Sequence, residues 1–417
     1  MSGLLAGLDE RITGVRELCE DLHRHPELSF QEVRTAGVLA QRLRAAGYEV
    51  TTGVGGTGVV GVLRNGPGPG VLLRADMDAL PIQEVEAVPY RSTATGVAAD
   101  GTEQPVMHAC GHDTHMAALI GAAEQLAAHR DSWSGTLLAV CQPAEEGGGG
   151  AQAMIDDGFL ERFPAFDVAL GQHIASAPSR HLYVRPGVFM AAADSLRVTV
   201  HGRGGHGAQP QATVDPIVIA SSTVLRLQTV VAREISPDDV AVVTVAAVHA
   251  GGKENVIPTT AELTLNVRTF DPDVRERVLD CIRRIVRHEA AAAGAPREPD
   301  IEPINGFPLL VNDSEAALRI ADAFTEQFGA EFVHEPPAKA GSEDFGVFGA
   351  AAEVPSVFWN FGGFDPALYP DPAKPNSAVA AGKAPGNHSP EFVPTGLEPT
   401  LLRASAALVT AAALWLR

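Results

Sequence analysis

The segment His108-Ala109-Cys110-Gly111-His112-Asp113-Thr114-His115 gathers three histidines, a cysteine and an aspartate in eight consecutive positions. Cys110 and His112 flank a single glycine, so a thiolate and an imidazole can reach one ion. That donor pair suits zinc or a similar divalent transition metal. His108 and His115 read as supporting side chains rather than ligands. A second cluster, Gln142-Pro143-Ala144-Glu145-Glu146, precedes four glycines and follows an apolar run that ends at Cys141. Two adjacent carboxylates repel each other, and a nearby cation is what keeps both ionised. One of them can coordinate while its neighbour faces the bound water as general base. A solvated acidic turn is the plainer reading of the pair, and its place after a buried strand weighs against it.

Asp78 lies in Arg74-Ala75-Asp76-Met77-Asp78-Ala79-Leu80-Pro81, where it is placed to accept the second ring proton of a metal-bound histidine and so fix its tautomer. Asp76 fits a strand-end turn equally well. His173, expected at a strand end, and His388, in Asn387-His388-Ser389-Pro390, stand alone. A lone loop histidine is more often a hydrogen-bonded surface residue than a ligand, and only the company of the other clusters reverses that.

The elements that must hold these groups belong to a chain of 417 residues with 31 Lys+Arg against 51 Asp+Glu, a net charge of −20, and 45% hydrophobic residues. The apolar fraction excludes disorder, and the length predicts two or three domains. So acidic a surface repels phosphate backbones and anionic lipid, which leaves no nucleic-acid and no membrane partner. The apolar run 404–416 is too short to cross a bilayer, and the N-terminus lacks the pattern of a secretory signal. A cytoplasmic location is expected. Cys19, Cys110, Cys141 and Cys281 are widely spaced with no CxxC pair, which argues against a disulfide framework or a zinc finger.

Short apolar runs at 59–63, 71–73, 136–141 and 168–170, with an Ala-rich helix expected over 116–128, predict an α/β sheet with helices on its faces. Ser29-Phe30-Gln31-Glu32 has the capping-box pattern ahead of a helix that should stop near Gly47. From Ser195 the texture changes to strict alternation over 195–201. A helix opened by Asp215-Pro216, strands at 241–248 and 261–268, a helix opened by Asp271-Pro272 and a strand at 301–304 complete a β-α-β-β-α-β order. Arg268 falls on the polar face of its strand with Glu262, Thr264 and Asn266. After Asn305 the α/β texture returns, with a helix over 314–328, a strand over 356–361 and a terminal helix from Leu397. The span 362–386 is the longest stretch that reads as unstructured.

Together these motifs resemble the M20 metallopeptidase family, in its amidohydrolase branch that cleaves N-acyl amino acids, hippurate and auxin-conjugate hydrolases among them. The resemblance runs in order along nearly the whole chain: His23-Arg24-His25-Pro26-Glu27-Leu28-Ser29, the segments 74–81, 108–115 and 142–149, Gly204-Gly205-His206-Gly207-Ala208, Asn255-Val256-Ile257-Pro258, Gly341-Ser342-Glu343-Asp344-Phe345, and 387–390. It implies two divalent metal ions, zinc, manganese, cobalt or nickel, with Cys110, His112, Glu146, His173 and His388 as protein ligands. Cys110 would then stand where other branches have a bridging carboxylate, and Glu145 would be the general base.

The implied architecture is a discontinuous α/β catalytic domain, residues 1–192 and 305–417, with an inserted ferredoxin-like lid and dimerisation domain, residues 193–304. His206 matches a family histidine that approaches the scissile carbonyl, in some relatives from the other subunit. Asn255 and Arg268 match positions near the substrate carboxylate. The plainer readings are an anion-binding turn for His206 and a solvated strand arginine for Arg268. The implied partner is a small-molecule N-acyl amino acid, with a homodimer formed through the inserted domain. Two rivals remain: a dipeptidase or aminopeptidase on the same scaffold, which needs a site for a free α-amine, and a catalytically silent metal-containing protein that binds acyl amino acids. The silent protein would have lost its base or a ligand, and neither is missing. No family motif falls within 362–386, so the acyl preference is not legible.

Overall fold

The runs at 59–63, 71–73 and 136–141 are apolar throughout because both faces of their strands are covered. The computed structural model describes residues 3–98 and 101–416. By internal contacts the chain divides into two units, one of Met1–Phe189, Val311–Pro337 and Asp344–Arg417, the other of Met190–Leu310 with Ala338–Glu343.

The first unit is built on an eight-stranded sheet. From edge to edge its order is Glu49–Val54, Gly58–Asn65, Gly135–Gln142, Gly70–Asp76, Val168–Pro178, Ser356–Phe364, Leu182–Tyr183 and Val333–His334. The four strands from Gly135–Gln142 to Ser356–Phe364 are mutually parallel. Crossover helices return such strands to the same end, so their carboxyl ends gather on one side, where α/β sheets bind ligands. Helix His112–Ala128 is buried nearly all round and packs against helices Leu8–Arg24 and Leu397–Ala412. Its small residues permit that closeness: a Cβ on Gly121 would lie 2.7 Å from Ser405 Oγ. Fully buried Leu119, Ile120 and Leu126 each contribute about 1.5–3 kcal/mol of burial.

Three expectations change. The capping box does not form: helix Val33–Ala45 has no side-chain cap from its N-cap residue, and Ser29 Oγ instead donates to Asp78 Oδ2 at 2.6 Å. The Glu27 carboxylate accepts the first-turn N–H groups of Arg34 and Thr35 at 3.0 and 2.8 Å, a tertiary substitute for the local cap. The helix expected from Met116 begins at His112. The span 362–386 is also less irregular than it reads. The strand Ser356–Phe364 carries through its two glycines, and Pro366–Leu368 and Asn376–Ala380 form short helices. Tyr369 Oη pairs with Ser176 Oγ at 3.0 Å, which ties the segment down.

The second unit has the β-α-β-β-α-β order. Its antiparallel sheet runs Ala241–Ala250, Thr260–Thr269, Ala192–His201, Asp300–Phe307. Helices Pro216–Leu227 and Pro272–Ala292 are opened by the carboxylates of Asp215 and Asp271. Leu196, Val198 and Val200 join Leu263, Leu265 and Val267 against Val278 and Ile282 in one core. Arg275 makes a two-pronged pair with Asp194 at 2.8 and 2.7 Å, fastening helix to strand. The edge strand Ala241–Ala250 leaves Val242 and Val248 exposed. No helix among the described residues is long and apolar enough to cross a membrane.

Candidate active site

Gly111 sets the geometry of the histidine-rich segment. Its φ of +79° is the left-handed turn that leads into helix His112–Ala128, and a Cβ there would come within 2.4 Å of Ile174 Cγ2. Only glycine satisfies both constraints. Because the helix starts at His112, the rings of His112 and His115 project from its first turn, with centroids 5.2 Å apart.

His173 lies within the strand Val168–Pro178 rather than at its end, since strand pairing with Ser356–Phe364 carries the ladder on past it. Its Nδ1 is 2.5 Å from the Ile174 carbonyl, to which it donates, leaving Nε2 unprotonated and 3.4 Å from Cys110 Sγ. Asn387 Nδ2 donates to the same sulfur at 3.7 Å. The next residue, His388, takes a left-handed φ of +67°. Its backbone N–H is anchored on Ala109 O at 2.8 Å, and its Nε2 stands 3.1 Å from Glu146 Oε1.

The Glu145-Glu146 turn is held from beneath. The Asp78 carboxylate accepts both backbone N–H groups, Glu145 at 3.0 Å and Glu146 at 2.9 Å. Ala144, at φ +49°, gives its N–H to buried Glu32 at 2.9 Å. Asp78 also stands 3.5 Å from His112 Nδ1, so the ring turns Nε2 toward Glu146 Oε1 at 3.9 Å and Asp76 Oδ2 at 3.7 Å.

Cys110, Glu146 and His388 offer ligand atoms within 4.8 Å of one another, as do His112, Glu145 and Glu146, and as do Asp76, His112, His115 and His173. Both ring nitrogens of His112 and the Oε1 of Glu146 are buried without a hydrogen-bond partner; with Nδ1 turned toward Asp78 as the N–H side, the orphaned acceptors Nε2 and Glu146 Oε1, this close together, fit a cation. Burial, then the charges of Glu146, Glu145 and Asp76, push the Cys110 thiol well above its ordinary value. Burial alone would lower His112, yet Asp76, Asp78 and Glu146 raise it to about 10. Both directions register the same excess of negative charge, which divalent cations neutralise. The sulfur, nitrogen and oxygen donors suit borderline-soft transition metals.

His115 has no nitrogen to spare. Its Nδ1 pairs with Asp76 Oδ1 at 2.6 Å and its Nε2 accepts the Ile174 N–H at 2.8 Å, so it positions the strand that carries His173. Asp76 in turn pairs with buried Arg74 at 2.9 Å, and Arg74 reaches Gln142 and Asp344. A further buried relay, His23 between Asp113 at 2.9 Å and Glu84 at 3.3 Å, braces the first turn of the helix. Asp76 is weakly signalled by its place in the 74–81 motif. Glu84 has no sequence signal, because its partner is far away in the chain.

In the second unit, Gly205–His206 pairs with Val256–Ile257, and Gly207 N–H donates to Asn255 O at 2.9 Å, which brings His206 and Asn255 together. Both side chains are exposed. Arg268 is elsewhere, near the far end of the strand Thr260–Thr269, about 26 Å from Thr260 at ~3.3 Å per residue. Asn266 Oδ1 and Ser342 Oγ orient its guanidinium at 2.9 Å each, and no carboxylate among the described residues pairs with it. One chain therefore does not bring Asn255 and Arg268 to a single substrate carboxylate.

Residues 72–380 match the family described as Peptidase family M20/M25/M40. The chain is 40% identical over 336 residues to a hippurate hydrolase of Campylobacter jejuni, covering 78% of this chain and 82% of the relative. It is 38% identical over 347 residues to thermostable carboxypeptidase 2 of Saccharolobus solfataricus, covering 82% and 84%. Among solved structures, a dinuclear metal binding peptidase from the M20 family of Bacillus subtilis superposes with a TM-score of 0.74 at 28% identity, over 97% of this chain and 99% of the other.

Proposed function

The chain belongs to peptidase family M20/M25/M40, and from that membership we propose that it is a metal-dependent amidohydrolase, splitting the amide bond of N-acyl amino acids into a carboxylic acid and a free amino acid. The observation that carries this reading is the Glu145 carboxylate, which offers an oxygen within 4.8 Å of ligand atoms of His112 and Glu146, where a base must stand to serve a metal-activated water. The name of the hippurate hydrolase relative points to the same substrate class.

Cys110, His112, Glu146, His173 and His388 are the proposed ligands of two divalent ions, which supply Lewis acidity and a water acidified toward neutrality. Glu145 takes the proton of that water as it attacks the acyl carbonyl, then returns it to the leaving amine. Asp78 keeps the 145–146 turn in place and orients His112 through Nδ1. His206 donates to the oxyanion, and Arg268 binds the free carboxylate of the amino-acid half, a charge-assisted contact that a chain of net charge −20 needs locally.

The distance along Thr260–Thr269 supports a shared site in a homodimer: Arg268 from one chain, with His206 and Asn255 contributed by a second copy. The open edge strand with exposed Val242 and Val248, and exposed Val218 and Leu225 on the helix Pro216–Leu227, supply an apolar face for that copy. A cytoplasmic setting belongs to the same reading and fits four free cysteines.

The test is hydrolysis of N-benzoyl and N-acetyl amino acids beside free dipeptides, before and after chelation and readdition of manganese, cobalt, nickel or zinc. Release of amino acid from the acylated substrates, lost on chelation and restored by metal, is expected. Preferential cleavage of free dipeptides, or activity indifferent to chelator, sinks the proposal.

A further inference from the structure

Three consecutive backbone N–H groups, those of Ala144, Glu145 and Glu146, are each taken by a carboxylate oxygen. Two of the bonds belong to Asp78. The third belongs to Glu32, whose Oε1 accepts the Ala144 N–H at 2.9 Å. Its Oε2 accepts the Thr57 hydroxyl at 2.5 Å, so both oxygens are engaged. Glu32 is fully buried and stands at the N-cap of helix Val33–Ala45, yet its side chain caps nothing there. It is spent instead on a residue 112 positions further along the chain.

Ala144 is where that bond has leverage. It lies in the left-handed region at φ +49°, a conformation that a residue with a Cβ keeps only where its surroundings over-determine it. Glu32 grips the peptide before the Ala144 torsions, and Asp78 grips the peptide after them. The torsions are clamped only while both bonds are made. Ala144 O also accepts the Gly150 N–H at 3.3 Å. Successive N–H groups turned to one side form a concavity for anions, and here the anions are the protein's own side chains. Glu145 is the next residue, so the Ala144 backbone sets the direction in which the Glu145 carboxylate leaves the turn. Burial above all pushes the Glu32 carboxyl up, and the charge of Asp78 adds to it. An apolar side chain would fill the same space without that penalty, which speaks for the acceptor itself being needed.

We propose that Glu32 is a positioning residue for the reaction: by holding the Ala144 N–H it keeps the left-handed turn that aims the Glu145 carboxylate, and Thr57 orients Glu32 for that task. The inference deepens the hydrolase reading and rests on Glu145 being its base.

The test compares Glu32→Met, Glu32→Gln and Thr57→Val in the metal-loaded full-length protein. It follows metal content, kcat and KM on an N-benzoyl amino acid, and amide hydrogen exchange of the peptide covering 142–149. Glu32→Met fills the space without an acceptor. It is expected to keep its metal and its KM within about twofold while kcat falls about tenfold or more, the scale of a small misplacement of a reacting group, and exchange across 142–149 should rise. Glu32→Gln keeps an acceptor oxygen for Ala144 and should restore turnover and protection together, a recovery that a mere packing role would not produce. Thr57→Val should lower kcat in the same direction by less, and it carries the test should Glu32→Met fail to fold. Native kcat in Thr57→Val or in Glu32→Met, a fall in kcat that only tracks lost metal, or a Glu32→Gln as slow as Glu32→Met overturns the proposal. A wild type that cleaves no acyl amide sinks the hydrolase reading instead, and the exchange data still decide whether Glu32 holds the turn.

Discussion

The Asp78 carboxylate accepts the backbone N–H of Glu146 at 2.9 Å, and its other oxygen accepts that of Glu145 at 3.0 Å. A side chain just past one strand end thus fixes the turn that carries Glu145 and Glu146, and the same group faces His112 Nδ1. Asp78→Asn replaces one acceptor by an N–H donor and cannot serve both amides. It is expected to lower metal affinity or turnover by about 10- to 100-fold, read by metal titration alongside kcat. Native values for both would remove Asp78 from the site.

Glu145→Gln is isosteric and keeps the turn's backbone bonds. Metal content should stay as it is while kcat falls by roughly 10²- to 10⁴-fold. Loss of metal together with activity would reassign Glu145 as a ligand, and near-native turnover would dismiss it as the base.

Cys110 sits 3.4 Å from His173 Nε2, with its thiol raised by burial and by Glu146. A divalent cation held by Cys110 would reverse that push and favour the thiolate. Cys110→Ala should therefore bind fewer than two equivalents of metal by elemental analysis. An unchanged stoichiometry would return Cys110 to the core, where Cys19, Cys141 and Cys281 already lie.

His23 is buried between Asp113 and Glu84, and these acids outweigh burial to raise it from 6.5 to about 9. A raised histidine stabilises the fold fully below pH 6.5, and that contribution fades as pH rises through about 9. Denaturant unfolding should thus show the wild type losing roughly 2–3 kcal/mol relative to His23→Gln between pH 6.5 and 9.5. A pH-independent difference between the two would contradict the ion-pair assignment.

Mixing two inactive variants tests the shared site. In a hybrid dimer of Glu145→Gln with His206→Ala, one of the two sites holds both an intact Glu145 and an intact His206 of the partner subunit. Random re-pairing should restore about a quarter of wild-type activity. Failure to regain activity after verified subunit exchange would place His206 in its own chain's site or outside the chemistry.

Periodicity sufficed wherever one face of an element is wet. The alternation of Ala261, Leu263, Leu265 and Val267 against Glu262, Thr264, Asn266 and Arg268 reappears as buried and half-buried positions of Thr260–Thr269, and Asp215 and Asp271 cap their helices as read. It failed where tertiary partners replace local ones. Ser29 has the sequence of a cap and instead bonds Asp78, while Glu27 caps the helix from outside the box. His173 sits mid-strand because Ser356–Phe364 extends the ladder beside it.

The sequence by itself determined which residue types could do chemistry, since density of histidine, cysteine and paired carboxylates is a local property, and it determined the β-α-β-β-α-β order of the second unit. Only the tertiary structure decided that the segments carrying Cys110, Glu146, His173 and His388 converge within ligand reach, that His115 is consumed by Asp76 and Ile174, and that Arg268 stands near the far end of the strand Thr260–Thr269, away from the turn that brings Asn255 beside His206. The physical reason is that a hydrogen bond or a ligand contact is spent on whatever the fold brings near, and residues a hundred or more positions apart carry no mutual signature in one chain until the sheet register places them side by side.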